Sequence, residues 1–327
     1  MLRKTVDMLK ASAPQRHGAT SRHSLRKLGV LVVSACAIGA LAGPATGQAS
    51  NQPVIAIDGS PINLNITPKR LVLDRGNRAG TVYIFNQGKA AATFDISLVE
   101  RVMVPNGEIK SVEEARSDPQ LQSVVGRLAS AQSMLVATPR RVTLAPGKGQ
   151  TIRVRVMKPT VDQVERRTHL TVASVPPRDS GVTAEQAQSN TAGQLGFRVT
   201  SIFGLSVPVI IRPAVADARG AIENVRLGFA ELSPDGVGPV VRTPVIRVDL
   251  RRTGASSLFG NIEVNGARGR EVVGLARGVG VYTEIDRRTL QLPLRRAPAK
   301  GEQLTVTFTD DDARPGQVIA RAQITAD

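Results

Sequence analysis

His169, in "RRTHLTV", and Asp310, Asp311 and Asp312, in "FTDDDARPG", are the residues whose types come nearest to chemistry. A nucleophile needs a base within hydrogen-bond reach, and a zinc site needs several Cys or His ligands. The chain has three histidines and one cysteine, and past residue 49 only His169 remains. It is expected to be a satisfied histidine on a strand. The three aspartates lack the alternating ligands and the Glu of a calcium loop. A turn or an ion-pairing cluster is the expectation there. The glycine-rich run ending at Gly280 precedes a strand, not a helix, so it offers no phosphate cradle. No Ser-His-Asp ordering stands out. The residues therefore imply no catalytic group, no metal site, no cofactor and no enzyme.

The elements that would position these residues are strands. Thirty Gly, twenty Pro and many Val, Ile and Thr favour strands and turns. "TIRVRV" shows the pattern of a half-buried strand: Ile152, Val154 and Val156 face one way, Arg153 and Arg155 the other. "INLNITPKRLVLDRG" reads as two strand segments broken at Pro68. "APGKGQ", Ala145 to Gln150, reads as a turn. A polar section from Pro105 to Ser133 interrupts the series. Its part "DPQLQSVVGRLASAQ" predicts one short helix, with Asp118 as N-cap and Pro119 at the first helical position. Arg178 to Gly193 reads as a loop. After Pro213 to Gly220 a second series of short strands begins. The expected architecture is all-β: two β-sandwiches in series, 50–214 and 215–327.

Residues 1–49 have the parts of a secretory signal. Arg22, Arg26 and Lys27 precede the apolar run "LGVLVVSACAIGAL", and small residues follow. The cut is expected after Ala49, and the run is short for a membrane span. "VSAC" is a competing lipoprotein site with Cys36 acylated, but the residues after Cys36 stay apolar. Without Cys36 the mature chain has no disulfide. The leader holds seven Lys/Arg and one Asp, leaving about +10 of the precursor's +16. Aromatics are 3% of the chain, too few for the stacking platforms of a nucleic-acid binder. The excess is spread along the chain and reads first as basic, solvated strand faces; as a partner, a polypeptide with an acidic or carboxylate feature suits it better than a nucleic acid.

The strongest binding signal is "QLGFRVTSIFGLSVPVIIRP". Its odd positions, Leu195 to Ile211, are apolar in eight cases of nine, with Ser201 the exception. Seventeen residues span about 55 Å as a strand, well beyond the usual five or six residues. A sandwich needs only part of that length. The rest fits a strand lent to a partner, although a strand that crosses between sheets has the same pattern. Pro208 stands in its middle and lacks a ladder N–H.

Together these segments resemble the PapD-like periplasmic pilus chaperones. "VATPRRVTLAPGKGQTIRV" is the most specific match. "ITPKRLVLDRG", "IFNQGKAAATFDISLVE", "RRTHLTVASVPP" and "VPVIIRP" follow the family's order. The resemblance implies two immunoglobulin-like sandwiches set at an angle, in the periplasm, with no enzymatic activity and no stable insertion of the mature chain in a membrane. It implies that the chain lends a strand to pilus subunits lacking one and hands them to an outer-membrane usher. Val199, Ser201, Phe203 and Leu205 fall in the donor strand. Arg70 matches the anchor for the C-terminal carboxylate of the bound pilin, and Pro208 stands where the family has a second, lysine anchor. Arg212, the aspartates Asp310 and Asp311, and Glu165 match interdomain ion pairs. The alternative is a structural or adhesive component of such an appendage. A pilin should itself carry a donor peptide near its N-terminus. Residues 50–61, "SNQPVIAIDGSP", are too short and too weakly alternating for one.

Overall fold

Period-two burial builds almost every element. The computed structural model describes residues 63–158, 163–176, 202–233, 238–266 and 271–327, and the backbone alone at Ile55–Ile57 and Phe197–Val199. The expected leader, Cys36, Ser201 and the loop 178–193 lie outside the described residues.

The first half of the chain begins with β1 (Ile55–Ile57), β2 (Leu64–Thr67), β3 (Leu71–Leu73), β4 (Ala79–Asn86) and β5 (Ala92–Val99). In β4, Val82, Ile84 and Asn86 point inward while their neighbours face out. An excursion follows: β6 (Arg101–Met103), β7 (Ile109–Ser111), α1 (Val112–Arg116) and α2 (Gln122–Gly126). The chain then returns through β8 (Leu135–Thr138), β9 (Arg141–Leu144), β10 (Gly149–Val156), β11 (Arg166–Val175), β12 (Phe197–Val199) and β13 (Gly204–Ile211). One sheet has the order β2-β4-β10-β8 and the other β3-β13-β11-β5-β9. Prolines do the switching. Pro68 separates β2 in the first sheet from β3 in the second, and Pro139 separates β8 from β9 in the same way. A proline donates nothing to a ladder, so pairing ends there. The turn at Ala145 to Gln150 also crosses sheets, since β9 pairs with β5 and β10 with β4 and β8. Ile84, Phe94, Ile152, Val154, Leu170 and Val209 fill the core between the sheets.

The second half adds β14 (Gly220–Leu232), β15 (Val241–Arg252), β16 (Leu258–Asn265), β17 (Val272–Val281), β18 (Arg287–Pro293), β19 (Gln303–Asp310) and β20 (Val318–Thr325). Their sheets are β14-β15-β18 and β17-β16-β19-β20. β16 and β19 alternate buried and half-buried residues along their length, and Leu258, Ile262, Val306 and Phe308 are fully enclosed. The all-β, two-sandwich expectation is what the chain adopts.

The excursion differs from its sequence reading. It holds a hairpin and two short helices rather than one helix. Ser111 and Glu114 form a capping box at α1, which satisfies two otherwise orphaned helix N–H groups. Asp118 does cap the Pro119 turn, accepting from Gln120 N. Val102, Met103, Val104, Val112, Ala115, Leu121 and Val124 are buried in the same cluster as the core of the second sandwich. Gly107 turns the β6–β7 hairpin with φ +88°, and a Cβ there would lie 2.1 Å from Arg288 Nε. Only glycine allows both that φ and that approach. The two sandwiches consequently share one compact unit, Gln52–Asp327.

Candidate functional site: an open strand edge beside a buried ionic joint

The long alternating stretch is two strands, not one. β12 pairs in parallel with β1, while β13 lies between β11 and β3. Between them Phe203 is tied to β11 through Ser174. Its N–H donates to Ser174 Oγ at 2.9 Å, and its carbonyl accepts from Ser174 N at 2.7 Å. A side-chain bond thus replaces a ladder bond at that position.

β13 is fully flanked only at its end. β3 covers Val209 to Ile211, whereas β11 runs along all of Gly204 to Ile211. Among the described residues, no strand lies along the outer edge of Gly204 to Pro208. Pro208 falls inside that open stretch, opposite His169, and an open edge is where a strand tolerates proline. Val207, Val209 and Ile211 serve the chain's own core, and Leu205 packs partly against it. Phe203 is 46% and Ile202 66% exposed. Phe203, Gly204 and Leu205 line a cleft of about 190 Å³ with Asn63, Leu64 and Phe94. Of the other donor-strand expectations, Val199 is in β12 and Ser201 lies outside the described residues.

The ionic joint gathers ends of the same sheet. Arg70 precedes β3, Arg212 follows β13 and Glu165 precedes β11. Arg212 Nε donates to Glu165 Oε2 at 3.2 Å and its Nη2 to Asp312 Oδ2 at 2.7 Å. Arg70 Nη2 donates to the same Asp312 oxygen at 2.7 Å and to Ser257 Oγ at 3.2 Å. Ser257 N in turn donates to Glu165. The Arg70 guanidinium also lies 4.7 Å from the centre of the Phe259 ring. All four charged side chains are nearly buried. Burial pushes the Arg70 pKa down, with Asp312 opposing it. Burial opposes the Arg212 charge too, but Asp312 and Glu165 outweigh it and its pKa rises. The difference has a structural cause: Arg212 contacts two carboxylates and Arg70 one. Arg70 Nε and Nη1, both enclosed, have no hydrogen-bond partner among the described residues.

Two expected members do other work. Asp310 accepts from Asp312 N at 3.0 Å and from Arg314 N at 2.7 Å, so it shapes the turn that presents Asp312. Asp311 is exposed, and its N–H bonds Phe259 O. The carboxylate that meets the arginines is therefore Asp312, not Asp310 or Asp311.

A second buried pair had no signal in the sequence. Arg167 on β11 binds Glu284, which also accepts from Met103 N at 2.8 Å. The Arg167 guanidinium lies 4.2 Å from the centre of the Tyr282 ring. His169, two residues on, is buried with Nδ1 3.1 Å from Arg167 Nη1. Burial first, then Arg167 and Arg101, push its pKa down to about 2. A ring held neutral beside arginines neither relays protons near neutrality nor attracts a cation. Among the described residues, no group of three His, Cys, Asp or Glu is placed to hold a metal, and no helix is long and apolar enough to cross a membrane.

The fold is similar in outline to solved pilus-chaperone structures. One is a chain of a chaperone–tip adhesin complex of CFA/I fimbriae biogenesis, 13% identical, covering 81% of this chain and 98% of that one at a TM-score of 0.38. The YadV chaperone is 11% identical over 80% and 98%, also at 0.38. A chain of the CsuC–CsuE chaperone–tip adhesion subunit pre-assembly complex, from archaic chaperone-usher Csu pili of Acinetobacter baumannii, is 12% identical over 81% and 98% at 0.38. No family model and no curated protein sequence matches the chain. A likeness of this degree carries no correspondence between individual residues.

Proposed function

We propose that this protein is an exported periplasmic chaperone that captures pilus or fimbrial subunits lacking a strand and delivers them to an outer-membrane usher. It acts by binding, not by catalysis, and needs no cofactor. The observation that carries the reading is the open edge of β13. Backbone groups from Gly204 to Pro208 have no neighbouring strand on that side among the described residues, and exposed Ile202 and Phe203 stand at its head. An incomplete sandwich exposes apolar core and unpaired backbone, both unfavourable in water. Pairing of such a pilin along β13 covers both at once. Phe203 supplies the free apolar side chain. Leu205 is shared with the chaperone's own core.

Arg70 anchors the C-terminal carboxylate of the bound pilin in this reading. Its Nη2 is bonded to Asp312, while Nε and Nη1 are enclosed and have no partner among the described residues, so the incoming carboxylate must open the joint to reach them. A guanidinium pairs well with a carboxylate once it is reached. The site has no lysine to share the task, because that position is Pro208.

Co-purification with a strand-deficient pilin tests both parts. Phe203→Asp with Leu205→Asp should abolish capture. Arg70→Gln should weaken it and erase any preference for a pilin with a free over an amidated C-terminus. Intact capture by the double variant sinks the donor-strand reading. An unchanged preference in Arg70→Gln removes Arg70 as the anchor.

A further inference from the structure

The excursion of the first sandwich also builds a cleft that the donor-strand reading does not use. Where it meets β15 and β18, a hollow of about 450 Å³ opens. That volume lies within the roughly 300–1,000 Å³ of ordinary ligand pockets. Its floor is apolar: Val124 of α2 and Ile285 are both nearly inaccessible. Its rim is arginine: Arg127, Arg251 and Arg287, each about half exposed.

The acidic groups around this rim are outnumbered. Asp286 is shared by Arg127 at 2.6 Å and Arg252 at 3.2 Å. Glu223 is shared by Arg251 at 3.2 Å and Arg287 at 3.1 Å. Asp249 is the third carboxylate, 3.7 Å from Arg287. Four guanidinium groups thus face three carboxylates. Arg127 and Arg251 each engage a carboxylate through Nη1 alone. Their Nη2 atoms have no partner among the described residues. Each can still offer a nitrogen to an incoming carboxylate.

We propose that this cleft docks an acidic peptide segment of a protein partner, with a carboxylate on the rim and an adjacent apolar side chain on the floor. Charge complementarity selects the anion, and the apolar floor selects a peptide over a bare polyanion. No aromatic side chain lines the cleft to stack a base, which disfavours single-stranded nucleic acid. The site is separate from β13, so its success or failure is independent of the donor-strand reading.

The probe is a fluorescein-labelled peptide of alternating Leu and Glu, followed by anisotropy against the purified chain. Saturable one-site binding is expected. It should weaken at least about tenfold in Arg127→Gln with Arg251→Gln, and also on raising salt, because exposed charges are screened. Arg153→Gln with Arg155→Gln removes the same charge from the exposed face of β10 and should leave affinity within about twofold. Arg127→Gln alone, at an exposed position, gives a second reading if the double variant folds poorly. Four results overturn the proposal: no saturable binding; equal weakening by the β10 variant; equal binding of a peptide with Gln for every Glu; or full displacement by a single-stranded oligonucleotide.

Discussion

His169 shows how a residue type that suggests chemistry becomes structural. Its ring is enclosed beside Arg167, with Arg101 also near, so protonation would bury a third positive charge among guanidinium groups. The folded pKa is about 2, below the unfolded value of 6.5. Below 6.5 the unfolded chain therefore binds a proton that the folded chain refuses. The contribution to stability is whole above pH 6.5 and is lost as pH falls toward 2, by up to about 1.4 kcal/mol per pH unit. Urea unfolding at several pH values, compared between the parent and His169→Gln, should show a shallower loss in the variant between pH 6 and 4. Parallel curves would mean that the ring protonates freely in the folded protein.

At the scale of elements, the excursion between β5 and β8 is the decisive piece. Its apolar residues alternate too irregularly for a long helix and too briefly for a sandwich strand. They gain burial only by packing on the second sandwich. Met103 is the clearest case, being 4% exposed while its N–H donates to Glu284. Met103→Ala should cost about 2–5 kcal/mol, as other large-to-small core changes do. Hydrogen exchange locates the effect: amides of β15 and β18 should lose protection, although the substitution lies in the first half of the chain. Loss confined to β5 and β11 would show that the excursion belongs to the first sandwich alone. Edge and centre also separate along β13, where Val209 to Ile211 are locked by β3 and Gly204 to Pro208 are not.

At the scale of the molecule, two sandwiches are joined by burial and charge together. Asp312 on the second sandwich serves both Arg70 and Arg212 from the first. Asp312→Asn keeps the shape but leaves buried Arg70 without a carboxylate and Arg212 with Glu165 alone. Breaking a buried pair in this way costs about 3–5 kcal/mol. Urea unfolding should show stability fall by that amount at an unchanged slope. A loss below about 1 kcal/mol would mark the pair as solvent-screened like a surface bridge.

The all-β class, the two series of strands and the alternation of β10, β16 and β19 were legible because strand burial repeats every two residues and is a local property. The breaks at Pro68 and Pro139 were half legible: a missing N–H ends a strand, but only the fold shows that the chain changes sheets there. Phe203 and Leu205 stood out from alternation, whereas Arg70, Arg212 and Glu165 stood out only through the resemblance to the pilus chaperones. Asp312 did not stand out from Asp310 and Asp311, since three adjacent aspartates differ only in where a turn points them. Arg167, Glu284 and the arginine cleft left no signal, because their partners lie far along the chain. Arg70 and Asp312 are 242 positions apart, and Arg167 and Glu284 are 117 apart. The sequence by itself determined which residues alternate and which strands can form. Tertiary structure alone decided which charges meet and which strand edge stays open, because both depend on what the rest of the chain brings alongside.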